Sequence, residues 1–522
     1  MIIGIDLGTT NSAVSYFTED GDTEMVLNEH SEETTPSVVM IEDDDGEKNF
    51  IVGESAERKR ALKPDQVLAR TKQDIDKDEL PTYEIGGEEY NPIHAAAKIL
   101  EYLKEQAENK LSSEIDGDEG IEGAVITVPY DFTNKGRQRT KDAGGSAGLD
   151  VKQVINEPTA ACLSYVHEND VTGTLLVYDL GGGTFDSTLV TVENTIINVV
   201  ATEGDGELGG EDFDDALYEL VREKIDDTDA PDPEEADPQI RANLRQDVKE
   251  LKHNLSDLTE DFIAYEGEQI DVSREEFEDA IADMVDRTFE KMETLFDRDV
   301  VEEEGISRDS VDHVLLVGGS TRVPVIQERV ETFFEQEPKL NVDPDTVVAR
   351  GGAIQAAEFR DEIPATELPP HTITNVLSHN VGVQLNDGTF DEMLAENTDV
   401  PADASGMYTN PEDNATRIEV PVWEKGTQDE VLESGDDTDE ERIGDLMLED
   451  LPEADAGELE IEVSFIANPD GTLRVEAHEK VSDQRVKTTI SGLGLDRSER
   501  EEIATKIGVD TSEVTGPSKA DD

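Results

Sequence analysis

The sequence predicts a layered α/β body of two similar lobes over residues 1 to about 360, followed by a small all-β domain at roughly 375 to 490. Three observations carry this. Up to residue 360, short apolar strands alternate with helical segments, the pattern of stacked α/β layers. A local motif recurs: Gly4-Ile5-Asp6-Leu7-Gly8-Thr9-Thr10 is echoed by Val177-Tyr178-Asp179-Leu180-Gly181-Gly182-Gly183-Thr184, each an apolar strand running into Asp-Leu-Gly and a Gly/Thr turn. Beyond the proline-rich stretch Asp361 to His371, the apolar period changes to two.

The elements come in order. Met1 to Ile5 opens the chain as a strand, Ala95 to Lys110 has helical spacing, and Ala124 to Val128 and Val314 to Val317 are further strands. Pro364, Pro369 and Pro370 cannot continue a helix, so a boundary is expected there. Ile418, Val420 and Val422 alternate with polar neighbours, as do Leu459, Ile461, Val463 and Phe465. Asn468-Pro469-Asp470-Gly471 then supplies turn chemistry before Leu473, Val475 and Ala477, which makes an antiparallel hairpin with one buried face. The acidic stretches Asp226 to Asp237 and Gln428 to Asp455 read as surface loops. Asp496 to Lys506 reads as helical and Glu513 to Asp522 as a polar end. The expected segments are 1–362 (α/β domain), 363–376 (linker), 377–492 (sandwich) and 493–522 (helical stub and tail).

With 522 residues the chain exceeds what one core sustains, since single cores stop growing near about 250 to 300 residues. It carries 127 Asp+Glu against 43 Lys+Arg, a formal net charge of -84. Such self-repulsion penalises the compact state in dilute buffer, whereas at molar ionic strength the Debye length shrinks to about 3 Å. The acid is spread over every segment rather than gathered in a tail, so the expectation is adaptation to a salt-filled cytoplasm in a halophilic organism. The same surface repels nucleic acid and anionic membranes, which excludes both as expected partners. Cys162, the one cysteine, sits in the apolar run Ala160 to Leu163 and reads as a small buried hydrophobe. No basic leader and no run of about 18 apolar residues is present, so a soluble cytoplasmic protein is expected.

Neither glycine cluster is followed by Gly-Lys-Ser/Thr or shows dinucleotide-fingerprint spacing. Two glycine turns, each beside an aspartate and threonines, suit a different phosphate site. Backbone N–H groups approach phosphate oxygens from two sides while two carboxylates hold a hydrated Mg2+ between them.

Six separated segments then resemble the 70-kDa heat-shock (DnaK-like) family of the actin and sugar-kinase superfold. They are Ile3 to Ser12, Val125 to Pro129, Ile155 to Ala161, Tyr178 to Asp186, Leu208 to Asp214 and Leu316 to Pro324. The resemblance implies an actin-like, ribonuclease H-like, duplicated and two-lobed ATPase followed by an all-β sandwich that binds unfolded polypeptide. It implies ATP and Mg2+ as ligands, with K+ as a further candidate. Gly8, Thr9, Thr10, Asn11, Gly181, Gly182, Gly183 and Thr184 would grip the phosphates, and Asp6 and Asp179 would organise Mg2+. Glu157 and Lys72 would position the attacking water, with Asp186 and Thr184 beside the γ-phosphate, the placement and charge neutralisation that phosphoryl transfer needs. Gly210, Glu211, Lys252, Ser256, Gly318, Gly319, Ser320, Arg322 and Asp345 match nucleotide contacts, and Pro129 and Arg137 match an interdomain relay.

Ala395 to Pro401 and Pro411 to Asn414 follow the family's peptide-binding sandwich. By position Val383, Tyr408, Ile418 and Val420 would line its pocket, with main-chain hydrogen bonds holding an extended segment. The resemblance further implies a J-domain co-chaperone, a GrpE-type exchange factor and a monomer. Three departures stand out. The leucine-rich linker is not recognisable in Thr372 to His379, the helical lid is almost entirely missing, and Lys249 replaces an acidic adenosine contact. Weaker interdomain coupling and fast peptide exchange are therefore expected. The alternative readings are a nucleotide-gated peptide-binding module with weak or uncoupled hydrolysis, and a kinase of the same superfold.

Overall fold

The computed structural model describes residues 1–516 except 19, 45–46, 61, 78, 113–119, 170, 194–195, 340–342, 360–371, 426–430, 433–440, 450, 469–471, 481–483, 490–494 and 496. Two six-stranded sheets organise the α/β part, the second taking two of its strands from beyond residue 360. In the first, Ile2–Asp6 runs parallel to Gly123–Val128, which runs parallel to Asp150–Asn156, while Asn11–Phe17 returns antiparallel beside Ile2–Asp6. Ile2–Asp6 and Gly123–Val128 read as near-continuous apolar runs because both of their faces are covered. One covering helix is Pro92–Leu111, longer than the sequence spacing suggested. Its start is set by Asn91, whose side chain accepts the N–H groups of Ile93 and His94, with Pro92 in the first turn. It buries Ile93, Ala96, Ala97, Leu100, Leu103, Ala107 and Leu111 as one helical stripe, with Ala95 and Ile99 buried beside it.

In the second sheet, Gly173–Leu180 lies parallel to His313–Val317 and antiparallel to Phe185–Glu193, which is followed by Ile196–Asp205. Each half thus holds a strand ending at Asp-Leu, a glycine turn and an antiparallel return. Helix Val347–Ala357 packs on helix Glu157–Asn169 and on the first sheet. A separate core that includes Ile2, Val125, Ala160, Val177, Leu315 and Ile354 joins the two halves.

Residues 377–489 form two four-stranded antiparallel sheets closed on one core of Val381, Val383, Leu394, Val422, Val463, Phe465, Val475 and their neighbours. The predicted hairpin is Ile461–Ala467 with Leu473–Glu479, its turn lying outside the described residues. One sequence expectation is corrected: the acidic stretch Gln428 to Asp455, read as a loop, contains the strand Glu441–Leu448, paired with Ile418–Glu424 so that Leu448 faces Ile418. Ile443, Leu446 and Leu448 enter the core there. A register shift between Val422 and Trp423 breaks strict alternation, so the period-two signal is lost among the acids.

The proline-rich boundary lies outside the described residues, whereas the segment after it has a defined place. Thr372–Val376 adds as a parallel strand to Ile196–Asp205 and pairs with Asp399–Val400. A leucine-poor linker can do this because strand addition uses main-chain hydrogen bonds. A second correction concerns the C-terminal end. Helix Arg497–Ile507 packs on Pro92–Leu111 and Asn134–Ser146, and Val514, read as part of a polar end, is buried with Ile503, Ala504, Ile507 and Val509 in the first core. Two apolar side chains among acids show no period, so only the fold revealed it. Among the described residues no helix is long and apolar enough to cross a membrane.

Candidate functional site

The two glycine turns meet. A Cβ on Gly182 would stand 2.1 Å from Thr10 Oγ1, so only glycine lets the turns approach this closely. Thr10 Oγ1 is buried and has no hydrogen-bond partner among the described residues, a polar atom aimed at a group the protein does not supply. The Gly181 N–H donates to the Thr184 carbonyl, and the N–H groups of Gly210 and Glu211 donate to the carbonyls of Gly181 and Gly182. Thr9 and Gly8 are half-buried beside these turns, and Asn11 is exposed at the start of the return strand. Gly183 receives the Gln73 side-chain amide on its carbonyl at 2.9 Å.

Around the turns stand buried carboxylates. Asp6 ends its strand and accepts the Thr127 hydroxyl at 3.1 Å. Asp179 and Asp186 are 8% and 3% exposed. Burial raises the pKa of Asp6, and it pushes Asp179 and Asp186 well above the usual carboxylate range, with the neighbouring carboxylates adding to the shift. Glu157, first residue of helix Glu157–Asn169, forms an ion pair with Lys72 on helix Thr71–Asp76. Burial raises Glu157 while Lys72 draws it back, and Lys72 keeps its proton because Glu157, Asp6 and Asp179 surround it. One lysine thus faces several acids.

The other predicted nucleotide contacts gather on the far side of the second turn. Ser320 Oγ donates to the Gly181 carbonyl at 2.9 Å, and Lys252 Nζ reaches the Gly210 carbonyl and Asp214, each at 2.7 Å. Gly318 and Gly319 close the strand His313–Val317, and Arg322 holds Asp343 and Asp345. Ser256, one turn beyond Lys252, accepts Arg274 on its carbonyl. Glu211 pairs across the cleft with Arg70, a partner that no motif marked.

Pro129 and Arg137 belong to a contact between the α/β halves and the sandwich. Arg137, 4% exposed, donates to the carbonyls of Phe132 and Tyr130, to Asn156 Oδ1 at 2.6 Å and to Ser378 Oγ at 3.0 Å. Pro129 begins the turn that carries Tyr130, whose hydroxyl donates to the Leu377 carbonyl and Asn397. Asn134 binds the buried Glu424 carboxylate through its amide and its backbone N–H, and accepts the Leu473 N–H. His379 contacts the Asp131 carbonyl at 2.8 Å, and burial beside Lys425 pushes its ring down to about 3. Arg298 bridges Glu203 and Glu396. Sequence reasoning marked only two of these residues, because contacts between distant segments of ordinary polar residues leave no periodic signal.

In the sandwich, Val383 and Ile418 are buried at 1% and 8% exposure within the core between the sheets. Tyr408 and Val420 remain partly accessible, and the Tyr408 hydroxyl donates to Asp391 Oδ2 at 2.7 Å.

Comparison with known proteins agrees with this geometry. A family model described as Hsp70 protein matches residues 2–513. Two sequences named Chaperone protein DnaK, from two strains of Halobacterium salinarum, are each 36% identical over 501 residues, covering 94% of this chain and 75% of theirs.

Proposed function

The chain belongs to the Hsp70 family, and from that premise we infer that it is an ATP-dependent molecular chaperone, an ATPase whose nucleotide cycle modulates the hold of its β-sandwich on apolar segments of unfolded proteins. The observation that carries the reading is the meeting of two glycine turns over an unpartnered Thr10 hydroxyl, walled by Asp6, Asp179, Asp186 and the Lys72–Glu157 pair.

In this reading Gly8 to Asn11 and Gly181 to Thr184 hold the phosphates by backbone N–H groups and hydroxyls. Glu157 orients the attacking water and accepts its proton. Lys72 fixes the Glu157 carboxylate and offsets part of the acid field. Lys252, Ser256, Gly318 to Ser320 and Arg322 take the nucleoside end, where a guanidinium can stack on a purine. Asp6 and Asp179 suit Mg2+, which is held through one or two carboxylates, water and phosphate oxygens. When bound, the ion supplies charge neutralisation to the phosphates. K+ is the second ion we assign to this acid-rich cleft. By family, a J-domain protein and a GrpE-type exchange factor act on the cycle, and the working unit is a monomer.

One expected outcome comes from the raised carboxylates. A group whose folded pKa lies above its unfolded value contributes stability at acid pH that is lost as pH rises through the folded pKa. Asp6, Asp179, Asp186 and Glu157 all fall in this class. Adding Mg2+ to the ADP-bound protein should therefore raise its melting temperature more at pH 8 than at pH 5.5, as read by calorimetry. An equal shift at both values would remove these carboxylates from the ion's neighbourhood.

The function itself is tested by steady-state ATP hydrolysis in about 2 M KCl, where charge is screened at short range, with and without an unfolded apolar peptide. Stimulation of the rate by peptide is expected. Hydrolysis indifferent to peptide would mean an ATPase carrying an independent binding module, and phosphate appearing on a small hydroxyl compound would mean a kinase.

A further inference from the structure

The segment after the sandwich is built into the first α/β half rather than lying beside it. Arg500, 7% exposed by side chain, pairs at 2.7 Å with Asp142, 1% exposed, on helix Asn134–Ser146. The second Asp142 oxygen accepts the Leu495 N–H at 3.0 Å, and Gln138 donates to the first. Arg500 also donates to the Thr515 carbonyl. Thr515 in turn donates its N–H to the Gly145 carbonyl and its hydroxyl to the Leu149 carbonyl at 2.6 Å. Lys104 holds Glu513 at 2.6 Å. A Cβ on Gly145 would stand 2.8 Å from the guanidinium and 2.9 Å from the Thr515 carbonyl, so the helix leaves the space that this segment fills. Ile503, Ala504, Ile507, Val509 and Val514 complete the same core as Leu100 and Leu103. A buried ion pair bonded through both Asp142 oxygens and both terminal Arg500 nitrogens, with only Arg500 Nε left without a partner among the described residues, is costly to open when it is joined to a shared apolar core.

We propose that the surface formed by helices Pro92–Leu111 and Asn134–Ser146 is a permanent docking site for this chain's own residues 495–516, which act as a fastening and leash the sandwich to the ATPase throughout the nucleotide cycle. The leash is short. The last sandwich strand ends at Thr489 and the first fastened residue is Leu495, so six residue steps span the gap. Fully extended at 3.3 to 3.6 Å per residue, they reach about 20 Å. The exit end of the sandwich cannot move farther than that from Asp142 while the fastening holds. ATP and ADP states then differ by a leashed shift rather than by free separation of the domains.

The test uses the full chain with a protease site engineered into 490–494 and cut after folding. Spin labels go on Lys110→Cys, exposed on its helix, and on Arg474→Cys, which lies opposite Thr489. Cys162 is buried and burial pushes its thiol up to about 12, so it does not compete for label. We expect the cut C-terminal fragment to co-elute with the body in about 2 M KCl. In uncut protein the two labels should stay, in both ATP and ADP, within the separation the leash allows, about 20 Å beyond the fixed span from Lys110 to Asp142, and cutting should widen the ADP-state distance past that limit. The double variant Arg500→Met with Asp142→Leu, which removes both charges together, should keep the fold and release the fragment more readily after cutting. A fragment that separates at once on cutting the parent chain, an uncut protein whose domains part by more than the leash, or an ADP-state distance that cutting leaves unchanged would each overturn the proposal. Co-elution needs no nucleotide, so its failure is separable from a failure of the ATPase reading.

Discussion

Glu157→Ala should lower the single-turnover rate of ATP hydrolysis by about 10² to 10³-fold, the range for losing a positioned base or a preorganised charge, while ATP still binds. That loss corresponds to about 3 to 4 kcal/mol of barrier. The side chain stands at the first position of helix Glu157–Asn169, at the end of strand Asp150–Asn156, and is held by Lys72. Its removal does not leave Lys72 isolated, since Asp6 and Asp179 still support the ammonium, so the fold should survive. The pH profile gives a second reading. Glu157 must be ionised to accept a proton, and burial raises its pKa from the ordinary 4.5, so the acid limb of the rate should fall above that value. Lys72→Met removes the charge that draws Glu157 down and should move the limb to still higher pH. Wild-type hydrolysis in Glu157→Ala, or an acid limb unmoved by Lys72→Met, would take the pair out of the chemistry.

Arg137→Ala is the second large effect. Four acceptors converge on its guanidinium: the Phe132 and Tyr130 carbonyls, Asn156 Oδ1 beside Glu157, and Ser378 Oγ at the entry to the sandwich. Truncation leaves the Phe132, Tyr130 and Asn156 acceptors in a buried setting without this donor, a loss of about 3 kcal/mol. It also removes a side chain that joins Asn156, the residue before Glu157, to the sandwich. Peptide stimulation of hydrolysis should fall to a ratio near one, and the unfolding midpoint should drop. Arg137→Lys should not restore stimulation, because an ammonium cannot hold a planar fork of acceptors. Ser378→Ala cuts only the sandwich side of the contact and should lose stimulation with little change in midpoint. The sole tryptophan, Trp423, is buried next to Glu424, which binds Asn134, so its emission reports whether the sandwich stays seated. Retained stimulation in Arg137→Ala with unchanged Trp423 emission would show that coupling runs elsewhere.

How far the site was legible depends on the kind of signal each part leaves. Asp6, Gly8 to Asn11 and Asp179 to Thr184 were readable because a glycine turn after a strand, repeated in order, constrains backbone conformation locally. Glu157 sat in a run whose neighbours were equally constrained. Lys72 rested on spacing alone, and in the structure its ammonium pairs with Glu157. Arg70, Gln73, Asn134, Glu424 and Ser378 were not legible. Each is an ordinary polar residue, and its role comes from a partner dozens to hundreds of positions away.

By itself the sequence determined the local order of this protein: apolar strands of period two in the β domain, a helix over Ala95 to Lys110, the twin glycine turns, and a charge that calls for salt. Those features depend on neighbours within a few residues, where sterics and burial period act directly. Only the tertiary structure decided three further things. The strand Glu441–Leu448 is in the sandwich core, Thr372–Val376 completes the second sheet, and residues 495–516 fasten to the first half. In each case a segment with a weak intrinsic preference takes its conformation from the surface it joins, because main-chain pairing and burial against a preformed core outweigh local propensity.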